Sequence, residues 1–164
     1  MTPEPTGSVD PAGELSLCGA DFPVLVSATS RWADNDMFGH LNNAVYYQLF
    51  DTAINGWLLA HTGADALTAP YIAVVAESGC RFYREVGFPQ PISVGLEVVR
   101  LGRSSVTYRL GIFNAEADKV STTAVAAVGD WVHVYLDRAS RRPSEIPAQV
   151  RSILQTALGK PLPR

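Results

Sequence analysis

The chain has 164 residues, of which 47% are hydrophobic and 18% charged, and a formal net charge of −3. That length suits one domain with a real core, and the composition excludes a disordered chain. The mild negative charge leaves no overall basic footprint for nucleic acid or anionic lipid, and no apolar run is long enough to span a membrane.

Residues 1–21 are expected to form a flexible leader without a role in the fold. Met1 to Ser8 is rich in Pro, Gly and Ser, and it lacks the positive charge and apolar core of a signal peptide. Cys18 falls in this leader and Cys80 in a strand-like run, so both are expected as free thiols in a reducing cytoplasm. Val24 to Trp32 is rich in strand formers and alternates roughly at period two, which predicts a first strand. A polar loop, Asp34 to Asn42, follows it. Then Tyr46, Leu49, Phe50, Ala53, Ile54, Trp57 and Leu58 recur at three- and four-residue steps, as on a helix with a wide apolar face. Asn42 or Asn43 can cap this helix, and Gly63 can stop it. Gly56 costs a helix roughly 1 kcal/mol relative to Ala, and suggests a close backbone approach at that point.

Four more strands are expected, at Tyr71 to Tyr83, Ile92 to Leu101, Ser105 to Phe113 and Ser121 to Leu136. The turn signals between them are Gly87 to Pro91, Gly102-Arg103-Ser104 and Asn114 to Asp118. Such short connections call for antiparallel neighbours, because a parallel crossover needs about a dozen residues. From Ser144 onward, Ile146, Val150, Ile153, Leu154 and Leu158 predict a short terminal helix closed by Gly159 and Pro161. The expected division is a leader over 1–21, one domain over 22–150 and a helical tail over 151–164. One strand, one long helix and four strands make a single-helix α+β domain.

Polar chemistry gathers between Asp34 and Asn43, where two carboxylates, an imidazole and amides crowd the mouth of the apolar helix. A carboxylate on a short Gly-containing loop before a helix lies close to free backbone N–H groups that can polarise a carbonyl. That arrangement suits attack on an ester or thioester. Asp36 can serve as base or nucleophile, or it can simply close an Asx turn. Asp34 reads as a turn former beside Arg31. His40 either packs on the helix start or positions water. The side chains of Asn42 and Asn43 read as caps, leaving the Asn43 backbone N–H for an oxyanion. Asp51 faces solvent, meets a partner across an interface, or supplies a carboxylate from the helix. Arg103, Ser104 and Ser105 make either a polar hairpin turn or a phosphate site, with Arg84, Arg141 and Arg142 as weaker cations. His40, His61 and His133 are scattered without ligand spacing, so no metal is expected, and no phosphate loop or nucleophile elbow occurs.

The run from Arg31 to Tyr47, Arg-Trp-Ala-Asp-Asn-Asp-Met-Phe-Gly-His-Leu-Asn-Asn-Ala-Val-Tyr-Tyr, resembles the 4-hydroxybenzoyl-CoA thioesterase family of hotdog enzymes. The likeness extends over about residues 22–150, including Glu77 to Pro91 and the turn Gly102 to Ser105. It implies a curved five-stranded antiparallel sheet wrapped around one central helix. It further implies that Asp36 is the catalytic carboxylate, flanked by Gly39 and His40, and that the amide near Asn43 donates to the thioester oxygen. The implied substrate is an acyl-CoA, hydrolysed without a cofactor, and the implied assembly is a homodimer or homotetramer with sites at subunit junctions. His40-Leu41-Asn42-Asn43 also looks like plant acyl-ACP thioesterases, but Phe38 stands where those enzymes place an asparagine. Asp36 and His40 are one residue closer than in the hotdog hydratases. Hydrolysis of acyl-ACP and non-catalytic binding of acyl-CoA are the alternatives.

Overall fold

The computed structural model describes residues 11–63 and 67–159. After a short helix α1 (Pro11–Leu15) come strand β1 (Val24–Ala28) and the long helix α2 (Asn43–Thr62). Strands β2 (Tyr71–Phe82), β3 (Ile92–Leu101), β4 (Ser105–Phe113) and β5 (Ala127–Asp137) follow, and helix α3 (Ala148–Thr156) comes last. The five strands form one antiparallel sheet in the order β1-β3-β4-β5-β2. This is the expected α+β hotdog arrangement.

The apolar stripe of α2 explains the packing. Leu49, Phe50, Ala53, Ile54 and Trp57 are buried with Val94, Leu96, Leu110 and Ile112 on one face of the sheet. Phe50 needs bare backbone beneath it: a Cβ on Gly129 would lie 2.5 Å from its ring. The helix starts where the Asn42 side chain accepts from the Ala44 N–H at 3.0 Å. It stops at Gly63, whose φ of 58° is left-handed and therefore easy only for glycine. Gly56 is exposed with open space above it, so the close approach suggested by the sequence does not occur among the described residues.

Other boundaries move for identifiable reasons. The first strand ends at Ala28 rather than Trp32, because Trp32–Asp34 form a 3-10 turn closed by the Asp34 side chain. The last strand begins at Ala127, not Ser121, since Val120–Thr122 make another 3-10 turn with Val120 in a small second core. The terminal helix is over by Thr156, with Ala157 at its end instead of Gly159. Pro161 and Met1 to Ser8 lie outside the described residues.

Residues 11–21, expected within a leader that plays no part in the fold, pack onto the sheet face away from α2. Leu17 and Phe22 are buried with Phe113, Val120, Val125 and Val128. Glu14 takes two hydrogen bonds from Arg81, at 2.6 and 2.7 Å, and another from the Tyr83 hydroxyl. Arg81 in turn donates to Asp130 at 2.6 Å. Cys18 and Cys80 are free thiols.

Candidate active site at the helix entry

Strand β1 delivers the chain to the mouth of the sheet, and the segment from Arg31 to Asn42 must then turn back into α2. The turn is built from its own polar groups. Asp34 is almost fully buried and accepts from the Arg31 backbone N–H at 2.7 Å and from the Arg31 guanidinium at 2.7 Å. The Arg31 hydrogen bonds hold its carboxyl below the ordinary aspartate range. Its backbone carbonyl accepts from the Asn42 N–H at 2.9 Å. Asp34 is thus the structural turn former beside Arg31.

Asp36 sits at the centre of the loop, half-buried. Its N–H donates to the His40 carbonyl at 2.8 Å, and its own carbonyl accepts from Gly39 at 3.2 Å. Gly39 has a φ of 88°, which makes this tight return possible. One carboxylate oxygen, Oδ1, accepts from the Phe38 N–H at 2.8 Å and the His40 N–H at 3.4 Å. That is an Asx turn, but it uses one oxygen only. Oδ2 has no hydrogen-bond partner among the described residues.

The start of α2 is a few residues away. The Asn42 side chain takes the Ala44 N–H, and the Asn42 carbonyl takes the Val45 N–H at 2.8 Å. Asn43 is the first helical residue and exposed, so its N–H has no intrahelical acceptor. A half-committed carboxylate and an uncommitted helix amide therefore share one short segment.

A second loop closes on this one from the chain after β2. The Leu41 N–H donates to the Val86 carbonyl at 2.8 Å, and Asn35 Oδ1 accepts from the Phe88 N–H at 3.0 Å. His40 Nε2 lies 3.2 Å from a carboxylate oxygen of Glu85. The two loops enclose a groove of about 270 Å³, lined by Gly39, His40, Glu85, Val86 and Phe88. On the other side of the helix entry, a groove of about 350 Å³ runs between β1 and α2, past Asp34, Val45, Gln48 and Thr52. Trp32, Met37 and Phe38 stand exposed around the loop. Sequence reasoning missed Glu85. It lies within the Glu77 to Pro91 stretch, where nothing local marks it out, and only the closure of the second loop brings it to His40.

The other expected residues fall elsewhere. Asp51, half-buried on α2, accepts from the Asn55 side chain at 3.1 Å. Arg103 is exposed, and its nearest carboxylate is Glu145 at 3.5 Å. The Gly102 N–H donates to the Ser105 carbonyl and the Tyr135 N–H to the Ser104 carbonyl, as in a hairpin. Arg151 of α3 donates to the carbonyls of Gly102 and Arg103, while Gln149 of α3 reaches the Thr62 carbonyl. The turn therefore sits at the C-terminal end of α2, a helix of 20 residues and about 30 Å. Asp36 and Asn43 sit at the opposite end. Within one chain, hydrogen bonds tie Asp36, Gly39 and His40 together, and Asn43 follows as the first residue of α2; Arg103, Ser104 and Ser105 do not join them. Among the described residues, no three of His, Cys, Asp and Glu gather as a metal-binding group.

A sheet wrapped on a single helix, with a carboxylate loop at the helix entry, defines a hotdog-fold protein. The chain belongs to the thioesterase-like superfamily, whose family model matches residues 30–154, and its chemistry is thioester hydrolysis. The PA5185 protein of Pseudomonas aeruginosa strain PAO1 is 37% identical, with a TM-score of 0.81 over 87% of this chain and 96% of that one. A thioesterase from Thermus thermophilus, solved with coenzyme A and zinc, is 29% identical with a TM-score of 0.67, covering 87% of this chain and 98% of its own. The PA2801 protein of P. aeruginosa is 26% identical with a TM-score of 0.70 over 80% and 97% of the two chains. No curated protein matches the chain.

Proposed function

We propose that the chain hydrolyses an acyl-CoA to the free acid and coenzyme A, with Asp36 as the reacting carboxylate. The observation that carries this reading is that Asp36, with Oδ2 free among the described residues, precedes by seven positions the uncommitted Asn43 N–H that opens α2. The thioester carbonyl oxygen accepts from the Asn43 N–H, where the positive end of α2 stabilises the charge that develops on it. Asp36 takes the proton from an attacking water, or itself adds to the carbonyl carbon to give a mixed anhydride that water then opens. The carbon–sulfur bond breaks and the thiolate leaves as coenzyme A. Gly39 gives the loop its turn, and His40 holds the water. No cofactor is required. The coenzyme A bound by the Thermus relative supports the choice of thiol.

Two features support a homodimer that completes the site. Strand β2 is a sheet edge of 12 residues, and Ala73, Val75, Ala76 and Phe82 on it are exposed. A long apolar edge of this kind is a template for pairing with another strand. Since Arg103 lies at the far end of α2 from Asp36, we assign any phosphate contact by Arg103, Ser104 and Ser105 to the second copy. The free thiols fit a reducing, cytoplasmic setting.

The test is Asp36→Asn, which keeps size and turn while removing basicity and nucleophilicity. Turnover of acyl-CoAs should fall at least about a hundredfold, with a smaller change in substrate binding. Normal thiol release by this variant would refute the assignment. Label found in Asp36 after a single turnover in ¹⁸O-water, read by mass spectrometry, establishes the anhydride route with water adding to the aspartyl carbonyl, because general-base hydrolysis leaves Asp36 unlabelled.

A further inference from the structure

We propose that Glu85 is a positioning residue for His40, an inference that rests on the thioesterase reading above. The two residues are distant in sequence, yet Nε2 of His40 and Oε2 of Glu85 are 3.2 Å apart. Their side chains retain 41% and 78% of full exposure. A pair so open to water contributes little to stability, so its value lies in what it does to the ring.

The backbone fixes where Glu85 can reach. The Leu41–Val86 hydrogen bond ties the residue after His40 to the residue after Glu85. Asn35 holds Phe88 through the backbone on both sides, accepting from its N–H at 3.0 Å and donating to its carbonyl at 3.4 Å. Gly87 lies so close to the Gly39 carbonyl that a Cβ there would come within 3.0 Å of it. Stapled this way, the loop after β2 presents Glu85 to the imidazole edge in the groove shared with Gly39.

The consequence is a choice of tautomer. Of the two neutral tautomers, a carboxylate beside Nε2 selects the one with its proton on Nε2, which leaves the Nδ1 lone pair as the acceptor. Without Glu85, both tautomers and several ring rotamers compete. The His40 backbone is bonded to Asp36 through both its N–H and its carbonyl. A ring fixed by Glu85 is therefore rooted directly beside the reacting carboxylate, with one nitrogen able to hold a water. Glu85 acts through His40 and needs no contact with the substrate.

Three variants and one spectrum test this. Glu85→Ala should lower kcat about tenfold with KM within about twofold of wild type, as loss of an oriented proton acceptor does. Glu85→Gln, whose amide oxygen can still accept from Nε2–H, should recover most of that loss. In a His40→Ala background, Glu85→Ala should cost nothing further, because its effect passes through the missing ring. Full kcat in Glu85→Ala, or an undiminished loss in the His40→Ala background, overturns the proposal. If Asp36→Asn is inactive at the same time, the thioesterase reading stands without it. Should wild type hydrolyse no thioester, the imidazole ¹H–¹⁵N spectrum still decides the pairing. An Nε2–H form in wild type that becomes mixed in Glu85→Ala supports it, and an unchanged spectrum overturns it.

Discussion

His133 is a titratable residue held in the core. It lies on the helix side of β5 at 2% exposure, with its Nε2 3.0 Å from the Trp131 indole N–H and its ring edge-on to Tyr108. Since the indole can only donate, Nε2 is the acceptor and Nδ1 carries the proton. Nδ1 has no hydrogen-bond partner among the described residues. Burial pushes the His133 pKa below the ordinary histidine value, with the Asp51 carboxylate opposing it in part. The sign of the pH effect follows. Below about pH 6.5 the unfolded chain takes up a proton at this residue that the folded chain refuses. His133 therefore contributes stability that is complete above that pH and is lost as the pH falls toward the folded value. The urea midpoint should drop between pH 7 and pH 5, and His133→Gln should flatten that drop. An equally steep drop in the variant would assign the acid sensitivity to other groups.

The elements that were legible in the sequence are those whose ends are set by local chemistry. Helix α2 starts at an Asn cap and ends at a left-handed Gly, both within a residue of where side-chain and backbone preferences put them. Asn42→Ala should therefore destabilise the fold by about 1 kcal/mol, the usual worth of such a cap. A urea titration would register this as a lower midpoint with unchanged slope. If stability is unaffected, the Asn42–Ala44 bond is dispensable. Strands β3 and β4 likewise begin and end as expected, because Gly102 to Ser104 forces a short turn between two apolar runs. Illegible elements depend on distant partners. Glu14 has no local reason to be ordered until Arg81 of β2 and Tyr83 just after it arrive, and Leu17 needs the back of the sheet. Ser121 to Ala126 reads as strand by composition, yet Val120 is drawn into the second core and the chain turns first. The site divides along the same line. Asp36, Gly39 and His40 share one loop, with Asn43 opening the helix that follows, and could be grouped by nearness in sequence alone, whereas Glu85 required the fold.

For the whole molecule, the question is how a site at one end of α2 could use a cation at the other. Two copies joined through β2, as proposed above, would answer it by geometry. Ser105 pairs with Val134 and Val134 with Val74, so the Arg103 turn lies level with the Tyr71 end of β2. The Asp36 loop lies toward the other end, where Phe82 packs on Tyr46 near the start of α2. An antiparallel pairing of two β2 edges sets the Tyr71 end of one beside the Phe82 end of the other. The partner's turn then comes to the end of the molecule where Asp36 stands. Val75→Glu, which puts charge on an exposed residue of this edge, should halve the mass seen by light scattering and raise KM for acyl-CoA through loss of the partner's phosphate contact, with little change in circular dichroism. Arg103→Ala alone should raise KM for acyl-CoA by about tenfold to a hundredfold, the worth of a charge-assisted phosphate contact. Coexpressing Asp36→Asn and Arg103→Ala chains with different tags, and isolating the mixed dimer, distinguishes sharing from separation. If the contact is made across the dimer, one site of the mixed pair carries both lesions and the other carries neither. Its kcat should then be about half of wild type with an ordinary KM. If each chain serves its own site, no intact site exists in the mixed dimer, and KM stays as high as in Arg103→Ala alone.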